Sequence, residues 1–212
     1  MSSHPVRDDQ LPKGAGTAGA VPVTPSASVI VLRGEPIEVL LMRRSRGSSF
    51  VPDNWVFPGG IVETADRGAD DLATAKTCAA RELHEEAGVR VLPEELVLTA
   101  RWITPEGVPK RFDTWFFLAT MPGGQEPRPD AVEGIELRWL APAAALDANL
   151  RGELAMVFPT MKNLEALLPW KSIPGLLVER RGASIATTRP VIVVENGQKK
   201  VVLPNECAEG SK

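Results

Sequence analysis

Short apolar runs bounded by Gly and Pro predict strands at Ser26–Leu32, Val39–Met42, Trp55–Phe57, Leu96–Trp102, Arg111–Ala119 and Glu136–Leu140. Arg33-Gly34-Glu35-Pro36 separates the first two and reads as a hairpin turn, and Phe50–Asn54 reads as a loop. Helical spacing takes over at Ala75, Ala79 and Leu83, four residues apart. The helix is expected to start near Asp70-Asp71, whose carboxylates suit an N-terminus, and to stop at Gly88. Its alanines should face a sheet, with Glu82 and Glu86 to the other side. Further helices are predicted at Pro142–Leu150 and Thr160–Leu168, the latter with a core stripe of Met161, Leu164, Leu167 and Leu168. Beyond Pro169 the periodicity weakens. It returns at Val191–Leu203, where Asn196-Gly197 supplies a type I′ turn for a hairpin packed on the core or on a second subunit.

Strands mixed with helices predict an α/β chain, an α/β/α sandwich around a mixed sheet with a C-terminal hairpin appendage. Met1–Pro25 is rich in Pro, Gly, Ala and Ser and reads as a flexible leader. The expected division is a leader over 1–25, a domain over 26–170 and an extension over 171–212. A net charge of −3 gives no general basic field for nucleic acid. No run approaches the roughly 20 apolar residues of a membrane span. Cys78 and Cys207 lack metal-site spacing, and Cys78, between alanines, reads as a small core residue. These features together predict a cytoplasmic protein.

The chemistry concentrates in Arg81-Glu82-Leu83-His84-Glu85-Glu86-Ala87-Gly88-Val89. At about 100° per residue, Glu82, Glu85 and Glu86 share one helical face within about one turn. Like charges there repel, and a hard cation such as Mg²⁺ or Mn²⁺ relieves the repulsion. Upstream, Trp55-Val56-Phe57-Pro58-Gly59-Gly60 ends an apolar run in a tight bend where bare backbone lets a ligand approach. Arg43, Arg44 and Arg46 form a basic cluster near that bend, with Arg43 and Arg44 as candidates for anionic substrate binding. Only His4 accompanies His84, so no His triad or three-His metal site can be built. Trp55, Trp102, Trp115 and Phe112 are candidates for stacking on a base, and otherwise for core packing.

These residues resemble the Nudix box, G-x5-E-x7-R-E-U-x-E-E-x-G-U, where U is aliphatic. Arg81, Glu82, Leu83, Glu85, Glu86, Gly88 and Val89 match its second half, and Gly60 its first. Asp66 stands where the pattern has Glu, and fourteen residues separate it from Arg81 where the pattern has seven. Leu40–Ser45, Phe50-Val51-Pro52, Trp102–Pro105 and Arg111–Thr114 are similar to motifs of the acyl-CoA diphosphatase branch.

The resemblance implies a Nudix fold and metal-dependent hydrolysis of a diphosphate linkage, most simply in CoA or acyl-CoA. The alternatives are ADP-ribose or another nucleotide, or a non-catalytic nucleotide-binding module. It implies that Gly59 (through its carbonyl), Glu82, Glu85 and Glu86 hold Mg²⁺ or Mn²⁺. Glu85 and Arg81 join the catalytic group, Arg81 by orienting carboxylates and paired with Asp66 or Glu63. Glu133 is the candidate general base, ahead of Glu136 and Glu106. Arg43, Arg44 and Arg111 are the expected substrate contacts. The expected partner is a small CoA-like nucleotide, with no nucleic acid or membrane, and a homodimer is possible.

Overall fold

The structure, a computed structural model, describes residues 21–48, 50–195 and 198–204. In chain order its elements are β1 (Val23–Arg33), β2 (Glu38–Arg44), β3 (Trp55–Val56), β4 (Gly59–Ile61), α1 (Asp71–Ala87), β5 (Val97–Ile103), β6 (Arg111–Thr120), β7 (Gly134–Leu140), α2 (Pro142–Leu150), α3 (Phe158–Leu167), α4 (Ile173–Arg181), β8 (Thr187–Thr188), β9 (Val191–Glu195) and β10 (Gln198–Val202).

β1 organises the sheet. It runs parallel to β6 from Val23↔Arg111 to Leu32↔Thr120. On its other edge it pairs antiparallel with β4 through its first half and with β2 through its end. β7 and β3 extend the sheet from β2, while β5 and then β8 extend it from β6. Successive side chains on a strand point to opposite faces, and the two cores follow that parity. Val29, Val31, Phe117 and Ala119 pack with Ala79 and Leu83 of α1. Ile30, Leu32, Phe116 and Leu118 pack with Leu146, Met161, Leu164 and Leu176 of the other helices. The result is the expected α/β/α sandwich around a mixed sheet.

The predicted caps of α1 are present. The Asp70 side chain accepts from Ala73 N–H at 2.7 Å, and Gly88 takes the left-handed conformation with its N–H on the His84 carbonyl. Other boundaries move. β1 starts at Val23, inside the segment expected to be a leader, of which residues 1–20 lie outside the described part. α3 starts at Phe158, and Leu168 is exposed, leaving Met161, Leu164 and Leu167 as the core stripe. α4 was not anticipated. The C-terminal hairpin β9–β10 is formed, although Asn196 and Gly197 lie outside the described residues. Val201 is buried in the core with Ile192 and Leu203 beside it, so the hairpin packs on the domain. Among the described residues no helix is long and apolar enough to cross a membrane.

Candidate active site

Two pieces of backbone set this site, the glycine bend at β4 and the last turns of α1. The Gly59 N–H donates to Glu86 Oε2 at 2.7 Å. A Cβ on Gly59 would run into the Ala27 carbonyl and Ser28, and one on Gly60 would collide with the Glu82 carboxylate. Only bare backbone lets strand and helix approach this closely. Glu86 is therefore 3% exposed, buried against the bend rather than turned away from the core as its helical position suggests.

Arg81 ties the remaining acids together. Its Nε donates to Asp66 Oδ1 at 2.9 Å and its Nη2 to Asp66 Oδ2 at 2.8 Å. Nη1 donates to both Glu82 Oε1 and Glu85 Oε2 at 2.9 Å, and Nη2 also reaches the Ile61 carbonyl. A guanidinium has five N–H groups, and all are engaged within the protein. Asp66, not Glu63, is thus the partner of Arg81. The fourteen intervening residues allow this because α1 rises about 15 Å between Asp71 and Arg81, and the five-residue step from Asp66 to Asp71 can cover about the same distance.

Burial sets the electrostatics. It pushes the Glu86 carboxyl up to about 8, against the opposing Gly59 N–H and with the Glu82 charge adding to it. Burial also raises Glu82, opposed by Arg81. Asp66 is held below the ordinary carboxylate range by its hydrogen bonds from Arg81. Cys78 is fully buried beside this group, its thiol pushed up to about 12 by burial and by the Asp66 and Glu82 charges.

A cavity of about 870 Å³ opens over the bend. Glu82, Glu85 and Glu133 line it, as do Gly59, Gly60, Arg44 and Arg111. Glu133 lies 3.7 Å from Arg44 across an ion pair, and its charge contributes to the raised values of Glu82 and Glu86. Arg111 donates to the Thr104 and Val21 carbonyls, which line the same cavity. Phe50 and Phe112 meet edge to face at 4.8 Å in the same lining.

Several expected residues stand elsewhere. Arg43 does not line the cavity; it faces Asp53 and Glu136 at 3.5 and 3.4 Å. Glu136 is occupied by Arg43 and Arg138, and Glu106 is exposed outside the lining. His84 is exposed and accepts from Arg90. Trp55 is core, with Arg138 over its ring, and Trp115 carries Arg101 over its ring away from the cavity. Phe50 and Trp102, each from a segment similar to the branch motifs, join the lining, and Pro190 and Val201 join it without any motif that marked them.

Among the described residues, no three His, Cys, Asp or Glu side chains converge closely enough to form a metal shell on their own. The glutamates do not form the single ligand face expected, because Glu86 turns to Gly59 while Glu82 and Glu85 turn to Arg81. The donor set nevertheless suits a divalent cation. Glu86 Oε1 is buried with no partner, and Glu82 and Glu85 already converge on one positively charged nitrogen. Hard carboxylate oxygens, completed by water or phosphate oxygens, match Mg²⁺ and Mn²⁺.

The NUDIX domain family matches residues 22–161. A Caenorhabditis elegans protein designated nudix hydrolase 7 is 26% identical over 179 residues, 67% of this chain and 59% of its own length. The NAD-capped RNA hydrolase NudC of Stutzerimonas stutzeri (strain A1501) is 30% identical over 118 residues, 55% of this chain and 36% of its own. The alignments thus span less than two thirds of either relative. The crystal structure of a NUDIX hydrolase from Alicyclobacillus acidocaldarius superposes with a TM-score of 0.68 at 24% identity, covering 76% of this chain and 97% of that one, which shows a shared fold.

Proposed function

Because this chain belongs to the NUDIX family of hydrolases, we propose that it hydrolyses the diphosphate linkage of a nucleoside-diphosphate compound with Mg²⁺ or Mn²⁺ bound. The observation that carries this reading is the buried, unpartnered Glu86 Oε1 behind a glycine bend that itself lines a cavity together with Glu82, Glu85, Arg44 and Arg111. Glu82, Glu85 and Glu86, with the Gly59 carbonyl, would hold the metal. The chemistry it supplies when bound is neutralisation of the diphosphate charge and a more acidic water.

The chain's own residues do the rest. Arg81 has no N–H left for a substrate, so it acts as a positioning residue that holds Glu82 and Glu85 at the cavity. Arg44 and Arg111 would bind the negative groups of the substrate from two sides. Glu133, with its side chain 61% exposed in the lining, would take the proton of the attacking water on a carboxylate oxygen. Phe50 and Phe112 offer aromatic surface for a base.

CoA or acyl-CoA is the leading substrate, supported by the flanking motifs of the acyl-CoA diphosphatase branch, and the cavity has the size of a small-molecule site. ADP-ribose or a dinucleotide is the second reading, favoured by the likeness to the NAD-capped RNA hydrolase. The purified protein should be incubated with CoA, acyl-CoA, ADP-ribose, NADH and nucleoside triphosphates, with each metal titrated. Turnover of CoA compounds above the others is expected. Turnover of ADP-ribose alone would remove the CoA assignment, and no metal-dependent turnover of any substrate would remove the hydrolase reading.

A further inference from the structure

The chain between β6 and β7 reaches the cavity at Glu133. What holds that carboxylate in place begins at the end of α1. The Arg128 N–H donates to the Ala87 carbonyl at 2.9 Å, and the Asp130 N–H donates to the Glu86 carbonyl at 3.3 Å. These are two of the last carbonyls of α1, which have no partner inside the helix. The loop is thereby fastened to the same residue whose carboxylate lies behind the glycine bend. From this anchor the Asp130 side chain turns forward along the chain. Its Oδ1 accepts from the Gly134 N–H at 2.8 Å and from the Val132 N–H at 3.3 Å. Its Oδ2 accepts from the Glu133 N–H at 3.1 Å. Three successive backbone donors thus converge on one carboxylate.

The loop would not hold this shape unaided. Ala131 has a φ of 62°, in the left-handed region that is unfavourable for a residue with a Cβ. Ala131, Val132 and Glu133 are all exposed, so packing does not fix them. A strained conformation persists only where surrounding contacts over-determine it. Beyond Glu133 the Ser45 N–H donates to the Glu133 carbonyl at 2.8 Å, and β7 enters the sheet with a register shift against β2 between Arg43 and Arg44. Irregularities of this kind re-aim side chains. The Glu133 carboxylate consequently faces Arg44, and its charge is felt at Glu82 and Glu86. Asp130 itself does not line the cavity. We propose that Asp130 is a positioning residue, which fixes Glu133 relative to Glu86 so that the carboxylate is in place to take the proton of the attacking water. This inference rests on the reading of Glu133 as the general base.

The test is steady-state kinetics on whichever substrate of the panel above turns over fastest, with its metal saturating. The proteins are the parent, Asp130→Ala, Asp130→Asn, Glu133→Gln and the double variant Asp130→Ala/Glu133→Gln. A misplaced base should lower kcat of Asp130→Ala by about ten- to a hundredfold with KM little changed. Asn keeps one of the two acceptor oxygens, so Asp130→Asn should recover part of that loss. In Glu133→Gln no base remains to be positioned, so adding Asp130→Ala should lower kcat by less than about a further twofold. Metal affinity by calorimetry should be unchanged in Asp130→Ala, because the contact with Glu86 is made by the backbone N–H that Ala retains. If circular dichroism shows Asp130→Ala unfolded, Asp130→Asn takes its place, alone and in the double variant. Glu133→Gln at the parental kcat, or no turnover by the parent, removes the base reading and this proposal with it. Where Glu133→Gln is impaired, three results overturn the role of Asp130 alone: a parental kcat in its variants, losses that multiply in the double variant, or a matching loss of metal affinity.

Discussion

Glu86→Gln is expected to make the metal-free protein more stable at alkaline pH while removing its turnover. Burial keeps the folded carboxyl protonated up to about pH 8, whereas the unfolded chain releases the proton near 4.5. Between those values the folded state binds more protons than the unfolded state, so stability falls as pH rises and levels off above pH 8. With 1.36 kcal/mol per pH unit, the loss between pH 5 and pH 9 is about 4 kcal/mol at most. Gln keeps the acceptor for the Gly59 N–H and has no proton to lose, so this contribution to the pH dependence disappears. For a chain of this size about 4 kcal/mol corresponds to roughly 8–16 °C in Tm. The assay is thermal or urea unfolding of both proteins in a chelator across pH 5–9. Glu82, raised in the same direction, contributes to both profiles, so the difference between them reports residue 86 together with its coupling to Glu82. Added Mn²⁺ at pH 8 should stabilise the parent and not the variant, and turnover should drop by about 10²–10³ or more. Parallel pH profiles for the two proteins would refute the burial argument, and full turnover in the variant would place the chemistry elsewhere.

Asp66→Asn removes the most buried of the three carboxylates paired with Arg81, leaving Glu82 and Glu85, which should destabilise the fold by at most about 3–5 kcal/mol in urea unfolding and lower turnover as Arg81 loses the contact that fixes its position. Because Arg81 depresses the Asp66 carboxyl, its stabilisation is present at neutral pH and lost as pH falls through that lowered value. Gly60→Ala should displace the Glu82 carboxylate and weaken Mn²⁺ binding by calorimetry, with circular dichroism retained; unchanged affinity would exclude Glu82 from the metal set. Glu133→Gln should lower kcat by about 10²–10⁴ with little change in KM, as removal of a general base does, and an unaltered kcat would return Glu133 to the role of a surface acid.

The helix that carries the acids was legible because every signal in it agrees: an Asp cap, alanines at a spacing of four, and a glycine stop. The partner of Arg81 was not, because pairing across a loop depends on where the chain turns back, and Asp66 and Glu63 are equivalent by composition. Arg43 and Arg44 illustrate a limit of strands. Neighbours on a strand face opposite ways, and nothing local says which one meets the cavity. The burial of Glu86 was hidden for a related reason, since β4 folds over that helical face from a distant part of the chain. α4 escaped notice because Pro174 and Gly175 occupy its first turn and only Ile173 and Leu176 are buried, too few to set a rhythm. β8, with two residues, is fixed by its pairing to β5 rather than by its own composition.

Pro190 and Val201 stand in the lining of the cavity, well past residue 161, where the family match stops. The reaction vessel is therefore wider than its hallmark. A recombinant fragment trimmed to the recognisable portion would lose part of one wall, and chimeras that exchange only this tail would be a direct way to retune substrate choice while the hydrolytic apparatus is left untouched.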